Sequence, residues 1–189
     1  KTLVGDEAYA KALDLYFDRH DGQTCTIEDW LAVFEDATGR DLSQFKLWYS
    51  QSGTPRVSVD EDWSDGTYTL TFKQHTPPTP GQDVKDPKVL PIAVGLLNPN
   101  GDEVVSTRIL EMTQAEQSFA FEDLASQPVT SILRGFSAPI VLERDSSREE
   151  RVFLLAHDSD AFNRWEAGRN LSRDSLIATI CDGAGHDDA

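Results

Sequence analysis

Trp48-Tyr49-Ser50-Gln51-Ser52-Gly53-Thr54-Pro55 is the stretch at which this chain changes its period. Before it, apolar residues recur at helical spacing; after it, they alternate. Gly53 and Pro55 end a helix together, since glycine frees the backbone and proline has no N–H for the preceding turn. Downstream, Val57 and Val59 point one way, and Tyr68, Leu70 and Phe72 within Thr67 to Lys73 repeat the period of two of a half-buried strand. Leu90 to Leu97 is a nearly continuous apolar run, broken by Asn98-Pro99-Asn100-Gly101. The Asn-Gly pair tolerates positive φ and predicts a hairpin turn before Val104 and Val105. Ile109 to Met112, Phe119 with Phe121, Ile132 to Phe136 and Ile140 to Leu142 supply further strands. About seven short strands in roughly 90 residues fit an antiparallel, immunoglobulin-like β-sandwich. The Pro-rich stretch Thr76 to Gly81 is a loop between strands.

Upstream of Gly53 the pattern predicts three short helices. Asp6 is the expected N-cap of the first, with Tyr9, Leu13, Tyr16 and Phe17 on one face and Gly22 past its end. Thr26 and Asp29 have the spacing of a capping box, Trp30, Val33, Phe34 and Ala37 share the next face, and Gly39 is the stop. Asp41 with Gln44 opens a third helix carrying Phe45, Trp48 and Tyr49. So few residues bury little by themselves, so these helices read as the edge of something larger. The polar run Asp145 to Glu150 is the expected linker into a second helical zone. There Val152, Phe153, Leu155 and Ala156 form one segment, and Asp160 caps another with Phe162, Trp165, Leu176, Ile177 and Ile180. The tail Gly183 to Ala189 has no apolar anchor and is expected to fray. The expected division is 1–53 helical, 54–145 sandwich and 146–189 helical.

Composition narrows the function. With 33 acidic against 17 basic residues the net charge is −16, a sign that repels the phosphate backbone and argues against nucleic-acid partners. No run approaches the roughly 18 apolar residues of a spanning helix, and Lys1 to Asp6 lack a secretory pattern, so no membrane partner is expected. Cys25 and Cys181 are too far apart for a CxxC site and read as reduced thiols, consistent with the cytoplasm.

Several residues invite a chemical role, and each has a plainer one. His20 and Cys25 could pair as base and nucleophile, but an orienting group and a pocket are also required; helix-end packing explains them better. His157, Asp158 and Asp160 could be metal ligands, yet carboxylates at a helix start more often cap it. Asp60, Asp62 and Asp65-Gly66 miss the calcium-loop spacing, because the sixth position is Asp65 and the twelfth is Thr71. They read as a solvated hairpin. Of Trp30, Trp48, Trp63 and Trp165, only Trp63 lies off an apolar helical face and is expected to be exposed. Ser50-Gln51-Ser52-Gly53 lacks the strand-to-helix setting of a nucleophile elbow.

Trp48 to Pro55 closely resembles the junction in the aminopeptidase N family at which a thermolysin-like catalytic domain ends and a β-sandwich begins. Leu15-Tyr16-Phe17-Asp18-Arg19-His20-Asp21-Gly22, Phe136-Ser137-Ala138-Pro139 and His157 through Phe162-Asn163-Arg164-Trp165-Glu166-Ala167 are similar to the same family. The resemblance implies a four-domain zinc peptidase removing N-terminal residues from peptides. Within it, this chain would hold the last helices of the second domain, all of the third and the first helices of the fourth. The family holds zinc with His-Glu-x-x-His and a downstream Glu; His20, His75, His157 and His186 include no pair four apart. No residue of this sequence is therefore assigned a catalytic, cofactor-binding or metal role, and the piece is expected to be inactive alone. Its expected partners are peptide substrates of the parent and the neighbouring domains. Truncation should then expose Tyr16, Phe17, Trp30, Trp48 and Trp165. The alternative is a non-enzymatic sandwich module presenting Trp63 to a peptide or sugar.

Overall fold

A computed structural model describes residues 1–183, so of the tail expected to fray, Gly183 to Ala189, all but Gly183 lies outside the described residues. Helix α1 runs Asp6–His20. Its N-cap is Gly5 (φ 82°) and not Asp6, whose carboxylate instead joins Glu7 in the first turn, where it favours the helix dipole. Helix α2, Ile27–Thr38, begins at the expected capping box: the Asp29 N–H donates to Thr26 Oγ1 (3.2 Å), and Asp29 Oδ2 accepts from the Thr26 N–H (2.9 Å). Gly39 ends it in the left-handed conformation, φ 68°. The third helix is shorter than its spacing suggested, α3 being Leu47–Ser50. The reason is that Asp41 accepts from the Ser43 N–H in a turn, while the Gln44 amide reaches the carbonyls of Pro87 and Thr113. Ala12, Leu31, Val33, Phe34 and Leu42 form a small core of their own. Tyr9, Phe34, Trp30 and Tyr16 meet ring to ring across it at 4.7–5.5 Å. Consequently Tyr16 and Trp30 are half-buried and not exposed as expected, as is Trp48, which packs on the sandwich core, whereas Phe17 and Trp165 are each 59% exposed.

The sandwich has seven strands: β1 Arg56–Ser64, β2 Thr67–His75, β3 Leu90–Leu97, β4 Glu103–Met112, β5 Glu116–Phe121, β6 Val129–Ile132 and β7 Val141–Glu143. One sheet has the order β5-β2-β1-β7 and the other β4-β3-β6. The β1–β2 hairpin closes at Asp65 and Gly66, both at positive φ (48° and 80°), so the aspartates there serve a turn. The turn after Leu97 is also as expected. Val104–Val105 and Ile109–Met112, however, fuse into the single strand β4, whose register against β3 shifts around Val94, Leu96 and Leu97.

The expected seven-stranded immunoglobulin-like sandwich holds, but one of its strand pairs is not antiparallel: β7 lies parallel to β1. Nor is Ile132 to Phe136 a strand: β6 stops at Ile132, Leu133 turns left-handed (φ 64°), and Arg134–Phe136 is a 3-10 turn with Gly135 at φ 61° and Phe136 at φ 52°. This turn carries the chain from the second sheet back to the first, where it enters beside β1 in the same sense.

Every residue of β3 is buried, and its two faces serve different cores. Leu90, Ile92, Val94 and Leu96 join Val57, Tyr68, Leu70, Phe72 and Met112 between the sheets. Leu97, on the other face, packs with Leu154 and Ala167 from the C-terminal helices. These are α4, Arg148–His157, and α5, Ala161–Gly183. Ser147 caps α4 by accepting from the Glu150 N–H, so the last three residues of the expected linker, Arg148 to Glu150, are already helical. Asp160 caps α5 as expected, its Oδ1 accepting from the Asn163 N–H at 2.8 Å.

Candidate functional site

The polar side chains most deeply buried in this fold sit at the two seams where helices meet the sandwich. At the C-terminal seam, Arg134 leaves the end of β6 and lies flat on the backbone of Gly95 in β3. A methyl group at Gly95 would overlap its guanidinium, so only glycine fits. Arg134 donates to Ser131 Oγ (2.8 Å), Thr107 Oγ1 (2.9 Å), Glu103 and Asp158 Oδ1 (3.1 Å). The side chains of Arg134 and Asp158 are 3% and 0% exposed. Asp158, between α4 and α5, also accepts from Ser131 Oγ (2.6 Å), and Asn163 of α5 donates to Ser131 Oγ and to the Ile132 carbonyl. Every polar end is therefore paired, which is the condition under which a buried ion pair is tolerated. The Arg134 guanidinium holds the Glu103 carboxyl below its ordinary value.

A second cation secures the same seam from the end of β7. Arg144 Nη2 lies 2.6 Å from Glu61 of β1 and 2.5 Å from Glu150 of α4. Burial works against its charge, yet the two carboxylates hold its pKa above the ordinary value. Glu61 also meets the hydroxyl of Tyr68, which shares a 2.5 Å contact with Thr130. Burial, and then Glu61, push the Tyr68 phenol well above its usual range.

At the N-terminal seam the cation is Lys88. Its backbone is fixed by the buried Gln74, which donates to the Lys88 carbonyl (2.9 Å) and accepts from its N–H (3.0 Å). Its Nζ donates to the carbonyls of Gln51 (2.9 Å) and Gly53 (3.2 Å) and stands 4.6 Å from the centre of a Trp48 ring. Trp48 Nε1 donates to the Val89 carbonyl, and Gln51 exchanges two hydrogen bonds with the backbone of Asp86. Burial first, then the nearby Lys85 ammonium, lower the Lys88 pKa.

Between the sandwich and α4–α5 runs a groove of about 620 Å³ with Ile132, Ile140 and Leu154 in its floor. Its rim arginines are engaged: Arg144 as above, Arg151 with Asp174, and Arg169 with Glu166. Residues singled out by sequence are scattered. Tyr16 stacks on His20, and the Cys25 thiol faces the Gln23 carbonyl. His157 stacks on Phe153, while Asp158 and Asp160 turn to Arg134 and the α5 N-terminus. Asp60 pairs with Lys73. Trp63, expected to be exposed, is half-buried against the sandwich core, because β1 turns it inward beside Tyr68. No three His, Cys, Asp or Glu converge as metal ligands among the described residues. Sequence reading missed Arg134, Lys88 and Gly95, although each carried a signal: a charge adjoining an apolar run, or a glycine inside one.

Two family models match parts of this chain. Residues 53–145 match the Ig-like domain of unknown function DUF3458, and residues 148–189 match DUF3458_C, described as ARM repeats. Aminopeptidase N of Caulobacter vibrioides is 46% identical over 97% of this chain, and that of Escherichia coli K12 is 42% identical over 90%. The match covers 21% of each of these proteins, so the chain spans about a fifth of the length of the curated relatives it matches. A crystal structure of Legionella pneumophila aminopeptidase A in complex with aspartic acid superposes with a TM-score of 0.83 at 31% identity, covering 96% of this chain and 20% of that one. Among the described residues, no helix is long and apolar enough to cross a membrane.

Proposed function

The chain belongs to the bacterial aminopeptidase N family, and from that premise we propose that it is the structural middle section of a zinc aminopeptidase that removes N-terminal residues from peptides. The observation that carries this reading is the mismatch of coverage, with 97% of the chain aligned to 21% of a relative. In this reading residues 1–53 complete the catalytic domain, 54–145 form a spacer and 146–189 open the C-terminal helical domain. The sandwich holds the two helical bodies apart through the seams of Lys88 and Arg134.

Zinc would be the parent's cofactor, supplying an activated water to the peptide bond. Among the described residues none fits it. Asp158 is committed to Arg134 and Ser131 and Asp160 to its helix, so no carboxylate beside His157 is free to share a metal with it. No hydrolytic step is therefore assigned to any side chain of this piece. The cytoplasmic location expected from the two widely spaced cysteines remains part of the proposal.

The test is an assay of the isolated chain with an aminoacyl chromogenic substrate and added zinc, beside the full-length protein. Turnover by the full-length protein and none by the piece is expected. Turnover by the piece, or none by the full-length protein, would overturn the reading.

A further inference from the structure

We propose that Lys88 is the pin of a hinge, and that α1–α3 swing against the sandwich about Gln51–Ser52–Gly53 when the pin is withdrawn. The apolar residues of the N-terminal helices close on one another, and of the residues before Pro55 only Trp48 is packed against the sandwich core. No shared apolar layer sets the angle between the two bodies, unlike the C-terminal seam, where Leu97, Leu154 and Ala167 pack together. What joins them is polar. Gln44 donates to the carbonyls of Pro87 and Thr113 and the Trp48 indole to that of Val89, all neutral bonds, while the Arg40–Glu111 ion pair has both side chains 37% exposed, and such pairs contribute little in water.

Lys88 differs in burial and in partners. The residue is 2% exposed, and the partners of its ammonium are two carbonyls and an aromatic face rather than a carboxylate. Those carbonyls belong to Gln51 and Gly53, where the backbone leaves α3, with Gly53 at φ 93°. An ammonium in such a place is costly unless its hydrogen bonds are made. They are made only when the helical body sits at one angle, so the cation converts a loose connection into a fixed one. Lys85 reinforces it from the solvent side, donating to the Ser52 carbonyl (3.1 Å) and to Gln82 and Thr79. This device is independent of the reaction the longer relatives perform.

Lys88→Met keeps the apolar stem over Trp48 and removes the donors. Hydrogen exchange is read at the Gln51, Ser52 and Asp86 amides, and at Leu70, Phe72, Ile92 and Val94 as the sandwich reference. Hydrogen bonds to a charged group are strong enough that exchange at the first set should rise by at least about tenfold, with the reference within about twofold. No rise, or an equal rise in both sets, would overturn the proposal. Should the variant fail to fold, the unaltered chain is tested in rising sub-denaturing urea. Gln51, Ser52 and Asp86 should open before the reference strands; opening only together with them refutes the hinge.

Discussion

Gly95→Ala adds one methyl group in the middle of a sandwich strand, yet its effect should appear at the C-terminal helices. The new Cβ would overlap the guanidinium of Arg134, which is held on its other sides by Ser131, Thr107, Glu103 and Asp158. It must move, and when it moves Asp158 loses its cation. Because the two side chains are 3% and 0% exposed, solvent does little to offset the loss. Breaking a buried pair in this way costs about 3–5 kcal/mol. For a chain of this size that corresponds to a fall in melting temperature of roughly 6–20 °C. The assay is thermal and urea unfolding of four proteins: unaltered, Gly95→Ala, Arg134→Met and the double variant. Once Arg134 is gone the added methyl meets no guanidinium, so in that background it should cost less than ~1 kcal/mol, and the difference of at least about 2 kcal/mol between the two backgrounds is the coupling expected of groups in contact. Near-neutral Gly95→Ala alone, or the same cost in both backgrounds, would refute the reasoning.

Two other expectations follow from the same geometry. Arg134 depresses the Glu103 carboxyl, so Glu103 contributes stability above its unfolded value near ~4.3 that is lost as the pH falls through its lower folded value; Glu103→Gln should flatten the acid limb of a melting-temperature profile taken from pH 6 to pH 3, and an unchanged limb would contradict this. Trp63→Ala should destabilise the sandwich by about 1–3 kcal/mol in urea unfolding, since the indole packs on its core, whereas an exposed ligand platform would be removed without loss.

What could be read from the residues alone was local. The break at Gly53 and Pro55, the capping box of Thr26 and Asp29, the Asp160 cap, the Asn100-Gly101 turn and the alternation of β2 each depend on neighbours within a few positions. They are therefore written in spacing. The apolar run Leu90 to Leu97 already demanded burial on both faces. It could not say that one face meets the opposite sheet and the other meets α4 and α5.

The lack of a catalytic assignment also rested on spacing, since His-Glu-x-x-His is a local pattern. Only the tertiary structure decided the rest. Arg134 lies 24 residues from Asp158, and Lys88 35 from Gly53, so no periodicity links them. Nor does the pattern of β7 reveal that it returns parallel to β1. Phe136 to Pro139, similar to the family in sequence, owes its left-handed turn to the route the backbone takes between two sheets. Side-chain periodicity records which way a residue faces; it is the folding of distant segments onto one another that determines what stands there to meet it.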